Sequence, residues 1–139
     1  MHYFDASALA KRYVREKDSA RVRRLLALAV PATSRLSAVE IVSALMRRSR
    51  EGTVSEKNRQ RALAVLDGDL AAMLVVELTP ELVTRAQGLL RTYPLRAGDA
   101  IQLASCLQLQ EELADEPVVF VAFDVRLIAA ADAEGVKVA

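Results

Sequence analysis

Pro117-Val118-Val119-Phe120-Val121-Ala122-Phe123-Asp124 is the stretch on which the fold turns. Six consecutive apolar residues, rich in β-branched and aromatic types, follow a proline and end on an acid. A strand with one face in water would alternate apolar and polar side chains. A continuous run instead predicts a strand covered on both faces, as in a parallel sheet. Asp124 then opens a helix predicted to reach Ala133, and Val136 to Val138 predicts a short final strand.

Strand and helix patterns alternate outward from that point. His2 to Phe4 predicts a first strand, followed by a helix over Ala6 to Arg15. Asp18-Ser19 is an expected N-cap for a second helix with Val22, Leu25, Leu26 and Ala29 on one face. Pro31 stops it, and Ala32 to Arg35 predicts the second strand. A third helix is expected from about Ser37, burying Val39, Val42, Leu45 and Met46 and ending before Gly52. The stretch Ser55 to Asp69 predicts a fourth, with Ala62, Leu63, Leu66 and Leu70 as its stripe. Met73 to Leu78 predicts a strand. Thr79-Pro80 opens a fifth helix with Leu82, Val83, Ala86, Leu89, Leu90 and Tyr93 inward. Asp99 to Leu113 predicts a sixth helix, apolar on much of its circumference and therefore central. The pattern is that of a single α/β domain over residues 1–139, three-layered, with a central, mostly parallel sheet.

Composition narrows the function classes. Of the 139 residues 53% are hydrophobic and only 4% aromatic, so the core must be built from Leu, Val, Ile and Ala. One cysteine, Cys106, excludes an internal disulfide framework and suits a reducing cytosol. With His2 as the only histidine, a structural zinc site lacks ligands. No secretory signal pattern opens the sequence, and no stretch approaches the ~18 uncharged residues that span a bilayer. A cytoplasmic protein without a membrane partner is expected. Residues 1–61 carry 14 Lys/Arg against 6 Asp/Glu, and residues 62–139 carry 5 against 12. Such a split means either an anion-binding face or two halves that attract each other.

Open parallel sheets place their working sites beyond the carboxyl ends of the strands. Four acids fall there. Asp5 and Asp124 follow predicted strands, while Glu40 and Asp99 lie in the first turns of predicted helices. Converging carboxylates repel one another unless a cation sits among them. Oxygen ligands of this kind suit Mg²⁺ or Mn²⁺, which would activate water and stabilise the charge developing on a phosphodiester. Each acid also has a structural alternative. Glu40 stands three residues after Ser37, a capping-box spacing. Asp99, Asp5 and Asp124 are each placed to cap a helix. Ser7 is placed to support the Asp5 carboxylate or simply to start a helix, and Arg96 to meet a phosphate, orient an acid, or lie in solvent. The basic stretch Arg47, Arg48, Arg50, Lys57, Arg59 and Arg61 reads first as a solvated helical face. Asp67 and Asp69 read as solvated helix-end acids.

Four segments carry a resemblance. Tyr3-Phe4-Asp5-Ala6-Ser7-Ala8-Leu9-Ala10-Lys11, Ser37-Ala38-Val39-Glu40-Ile41, Leu95-Arg96-Ala97-Gly98-Asp99-Ala100-Ile101-Gln102-Leu103-Ala104 and Phe120-Val121-Ala122-Phe123-Asp124-Val125-Arg126-Leu127 resemble, in order, the signature blocks of PIN-domain proteins. More narrowly they resemble the VapC toxins of type II toxin–antitoxin systems. The resemblance implies a PIN-like fold and a Mg²⁺- or Mn²⁺-dependent endoribonuclease that hydrolyses RNA phosphodiesters. It implies Asp5 and Asp99 as principal metal ligands, Glu40 and Asp124 completing the pocket, and Ser7 in support. It also implies a homodimer and a cognate antitoxin. Gly98 departs from the bulkier residue of many relatives. With so few aromatics, RNA recognition should rest on phosphates and shape and be sensitive to salt.

Four alternatives accompany this expectation. An aspartyl-phosphate phosphatase wants a second acid two residues after the first, where this chain has Ser7. A receiver domain wants an acidic pair near the first strand and a Lys after a late one, and neither is present. A PIN-like module that binds protein or RNA without catalysis, or an RNA-processing nuclease without an antitoxin, keeps the fold and changes the role.

Overall fold

A computed structural model describes all 139 residues. Five strands, β1 (His2–Phe4), β2 (Pro31–Ser34), β3 (Leu74–Val76), β4 (Val119–Val121) and β5 (Lys137–Val138), form one sheet in the order β3-β2-β1-β4-β5. Every pairing is parallel. The helices are α1 (Ala6–Ala10), α2 (Ser19–Leu28), α3 (Leu36–Arg50), α4 (Glu56–Ala72), α5 (Pro80–Thr92), α6 (Ala97–Glu112) and α7 (Val125–Ala133). From β1 the chain winds outward through β2 to β3, then returns to the other side of β1 with β4 and β5. The winding therefore reverses between β1 and β4, and that boundary is where open sheets form their crevices.

The two covered faces are visible in adjacent residues. Tyr3 and Phe120 enter a core with α5, α6 and α7, while Phe4 and Val121 enter a second core with α1, α3 and α4. All four side chains are at most 2% exposed. Period-two alternation along β1 and β4 thus feeds both layers at once, as the uninterrupted apolar run predicts. Helix α6 is central: Ala100 and Gln102 through Leu107 are all buried. Thr79 caps α5 by accepting from Leu82 N at 3.2 Å, and Pro80 takes the first helical position. Ser55 caps α4 through Asn58 N in the same way.

Several expected details change. Helix α1 stops at Ala10, short of the expected Arg15. Beyond it the Arg12 guanidinium and the Tyr13 hydroxyl are both taken by Asp69, 57 and 56 residues away, which holds the chain in turns. Asp69 is therefore a partner in an ion pair and not a solvated end acid. Asp18 does not cap α2 with its side chain; its backbone is left-handed, with φ 68°. Ser19 instead accepts from Glu16 N and donates to Val14 O, each at 2.9 Å, closing the loop before α2. On α3 the inward stripe is Ser37-Ile41-Leu45, whereas Val39 and Val42 point outward, 68% and 38% exposed. A four-residue step from Ser37 defines that face, and the valines lie off it. Val83 and Leu90 on α5 are likewise outward, 41% and 39% exposed. No helix is long and apolar enough to cross a membrane.

Candidate active site

Asp5 is the first residue beyond β1. Its amide extends the ladder to Val121 O at 3.1 Å, and the strand then delivers its side chain into the winding-reversal boundary. One carboxylate oxygen accepts from Ala8 N and the other from the Ser7 hydroxyl, both at 2.8 Å. Asp5 thus caps α1, but capping does not account for its burial. The residue is only 3% exposed. Burial pushes its carboxyl up to about 6, the two hydrogen bonds pull it partly back, and the charges of Asp99 and Glu40 raise it further.

Glu40 is the fifth residue of α3. The capping-box alternative does not hold: α3 begins at Leu36, and Ser37 Oγ is 2.6 Å from Thr33 Oγ1 instead of serving the helix end. Glu40 Oε2 accepts from Gln102 Nε2 at 2.9 Å. Burial raises its carboxyl, the Gln102 amide lowers it, and Asp99 raises it again. Asp99, third in α6, accepts at 3.3 Å from the backbone amide of Arg96. The Arg96 guanidinium is in no ion pair with any acid of the site, so its expected part in orienting a carboxylate falls to its backbone N–H.

The structure therefore brings Asp5, Glu40 and Asp99 into one electrostatic neighbourhood. Asp124 lies beyond β4, beside β1, but its Oδ1 accepts from Arg126 N at 3.0 Å and Leu127 N at 3.1 Å. It caps α7, as one of its alternatives predicts, and its side chain is 39% exposed. No three carboxylates approach closely enough to cage an ion by themselves. A hard divalent ion that keeps several waters needs only one or two protein carboxylates. Each Asp5 oxygen carries one hydrogen bond, leaving lone pairs free for a cation. A buried carboxylate whose neighbours add negative charge is a donor set that fits such an ion.

Behind the acids runs a polar chain absent from the sequence expectations. The Tyr3 hydroxyl donates to Gln102 Oε1 at 2.9 Å, and Gln102 Nε2 donates to Ser37 Oγ at 3.0 Å as well as to Glu40. Thr33 Oγ1 donates to Phe4 O at 2.8 Å. These residues join β1, β2, α3 and α6 with every buried side-chain polar atom satisfied. The available signal is Gln102 itself: an amide within the apolar first half of a central helix, three residues after Asp99 and so on the same face.

Gly98 gives Glu40 its room. A β-carbon at Gly98 would stand 2.5 Å from Glu40 Oε1.

Comparison with known proteins accords with this architecture. The PIN domain family model matches residues 2–133. Ribonuclease VapC49 of Mycobacterium tuberculosis (strain ATCC 25618 / H37Rv) is 33% identical over 138 residues, 99% of this chain and 93% of the relative. Among solved structures, Mycobacterium tuberculosis VapC20, a sarcin-ricin loop cleaving toxin, superposes with a TM-score of 0.68 at 21% identity, covering 94% of this chain and 95% of the other. VapBC2 from Rickettsia felis, bound to a DNA fragment from its promoter, gives a TM-score of 0.65 at 11% identity over 100% and 98%. The ordered blocks, the parallel sheet and these relatives agree: the chain belongs to the PIN-domain family, in its VapC-like branch.

Proposed function

We propose that this chain is an endoribonuclease that hydrolyses RNA phosphodiesters with Mg²⁺ or Mn²⁺, acting as the toxin of a type II toxin–antitoxin pair. The observation that carries the proposal is the Asp5 carboxylate, almost wholly buried yet facing two further acids, Glu40 and Asp99. A structural carboxylate in such a place is normally matched by a cation of the protein, and Asp5 has none. Asp5 and Asp99 are the residues that would hold the divalent ion, with Glu40 and Asp124 beside them. When bound, the ion supplies Lewis-acid charge for the developing phosphorane oxygens and lowers the pKa of the attacking water.

The chain's own residues do the rest. Ser7 and the Ala8 amide fix the plane of the Asp5 carboxylate, so its free lone pairs point one way. Gln102 holds Glu40 at one oxygen and leaves the other directed at the α6 start. With its carboxyl raised by burial, Glu40 is a better proton acceptor than an exposed carboxylate.

The partner and assembly parts of the proposal rest on the VapC-like relatives and on exposed apolar surface. Val39 and Val42 flank Glu40 on the outer side of α3, an apolar strip suited to a segment of a cognate antitoxin. A homodimer and a cytoplasmic location belong to the same proposal.

The deciding experiment incubates the purified protein with structured RNAs and Mg²⁺, with and without a chelator, beside Asp99→Ala. Cleavage lost on chelation and in the variant is the expected result. Cleavage indifferent to both belongs to a contaminant and removes the proposal's support.

A further inference from the structure

The excess of positive charge in residues 1–61 is not spent on the acidic half. Only the ion pairs Arg12–Asp69 and Arg35–Glu77 join the two halves. Much of the remainder converges on one cleft. It has a volume of about 380 Å³ and lies between the turn after α1, helix α2 and the first half of α4. Arg12, Arg15, Arg23 and Arg61 line it, with the Asn58 amide among them and no carboxylate in the wall. Arg12 is neutralised by Asp69. Arg15, Arg23 and Arg61 are in no ion pair, although Arg35, Arg85 and Arg126 elsewhere each have an acid. Like charges held around one space raise each other's energy until an anion enters. Guanidinium forks match phosphate oxygens two at a time.

The cleft shares one wall residue, Val14, with a second cavity that reaches the edge of the acidic site. This cavity, of about 210 Å³, lies between α1 and α3. Its wall includes Arg47, the Glu16 carboxylate paired with Lys11 and Arg48, and Ser7, whose hydroxyl donates to Asp5. A polymer engaged at Asp5 and running past Ser7 and Val14 arrives among the three free arginines.

We propose that the Arg15–Arg23–Arg61 cleft binds the phosphodiester backbone of the RNA strand to one side of the bond cleaved at the acids. The proposal rests on the nuclease assignment and extends it. Recognition here is of phosphate and not of base. The one aromatic in the wall, Tyr13, is anchored to Asp69 through its hydroxyl, and no open ring platform exists for stacking. An acidic peptide is the competing ligand. The link through Val14 to Ser7, and so to Asp5, favours RNA.

The test measures binding apart from cleavage. Anisotropy of a fluorescent 12-nucleotide RNA is titrated in EDTA across a salt series, for the wild type, for Arg15→Gln/Arg23→Gln/Arg61→Gln, and for Arg91→Gln/Lys137→Gln as a control. Thermal melting by circular dichroism verifies that each is folded. Three lost phosphate contacts should weaken binding more than about tenfold at low salt and reduce the slope of log K against log salt by about 2. The control should match the wild type. A folded triple variant with unchanged affinity and slope overturns the proposal. So does a polyglutamate peptide that displaces the RNA as well as unlabelled RNA of equal length does, which assigns the cleft to an acidic protein segment. Failure of the nuclease assignment is a separate result, read as chelator-insensitive cleavage.

Discussion

Gln102 Nε2 donates to Glu40 Oε2 at 2.9 Å, across 62 positions of sequence. The same amide group accepts from Tyr3 and donates to Ser37, so one side chain of α6 sets the positions of groups on β1 and α3. Gln102 is 1% exposed. Replacing it with an apolar residue of similar size takes the partner from the buried Tyr3 hydroxyl, leaves Ser37 only its bond to Thr33, and removes the hydrogen bond that lowers the Glu40 carboxyl.

Gln102→Leu is therefore expected to cost roughly 1–3 kcal/mol, chiefly from the buried Tyr3 hydroxyl left without its partner. Urea unfolding followed by circular dichroism measures it. A variant as stable as the wild type would show that the polar chain behind the acids contributes nothing to the fold.

Gly98→Ala separates stability from function. The added β-carbon meets only the tip of the Glu40 side chain, at 2.5 Å, and a flexible tip can move aside. Gly98 is the second residue of α6, where alanine is the better helix former by up to about 1 kcal/mol. The expected outcome is a melting temperature unchanged or raised, with RNA cleavage reduced at least about fivefold because Glu40 is displaced. Full activity in Gly98→Ala would mean that Glu40's place against α6 is irrelevant to the chemistry.

How much of this was legible beforehand depends on the range of the interaction. The continuous run Val118 to Phe123 and the Thr79-Pro80 start are local patterns, and both correspond to elements close to their expected bounds. The order of strand-end acids placed Asp5 at the sheet edge, because strand alternation and the edge rule need no distant contact. Helix α1 was overextended because its end is set by Asp69, far along the chain. Hydrophobicity alone does not phase a helix with apolar residues on two sides, so it puts Val39 and Val42 inward where the structure has them outward. Ser37, a small polar residue, defines the buried face through Thr33 and Gln102. The fate of the basic arginines was illegible for the same reason: only the folded chain shows which of them find acids.

Stability should depend on pH in a characteristic direction. The Asp5 carboxyl sits at about 6 in the folded state against 3.8 ordinarily, so the folded chain holds a proton that the unfolded chain releases. Glu40 is shifted in the same direction. Stability without metal then falls as pH rises from about 4 to about 6 and flattens above, by about 3 kcal/mol at most for Asp5. Glu16 and Asp69, both lowered, by their hydrogen bonds to Arg48 and Lys11 and to Arg12 and Tyr13, act oppositely, but only as pH falls below the ordinary carboxylate range. Denaturant melts in EDTA from pH 4.5 to 7.5 test this. Asp5→Asn should be more stable than the wild type at pH 7.5 and have a flatter profile. A wild-type stability that climbs steadily from pH 4.5 to 7.5 contradicts the burial argument.

Cation binding supplies the complementary measurement. If the acids are relieved by a divalent ion, Mn²⁺ titrated calorimetrically at pH 7.5 should bind the wild type, and Asp5→Asn should weaken binding at least about tenfold, or ~1.4 kcal/mol. Ser7→Ala should have a smaller effect in the same direction. It removes the 2.8 Å hydrogen bond that orients Asp5 and holds its carboxyl down, so the proton competes better with the metal while the ligand itself remains. As pH rises, affinity should recover partly for Ser7→Ala, whose Asp5 has a proton to lose, and less for Asp5→Asn, whose first ligand is gone. Wild-type protein that binds no Mn²⁺ would leave three neighbouring acids without a cation to hold, and would favour a PIN-like module that engages its partners without catalysis.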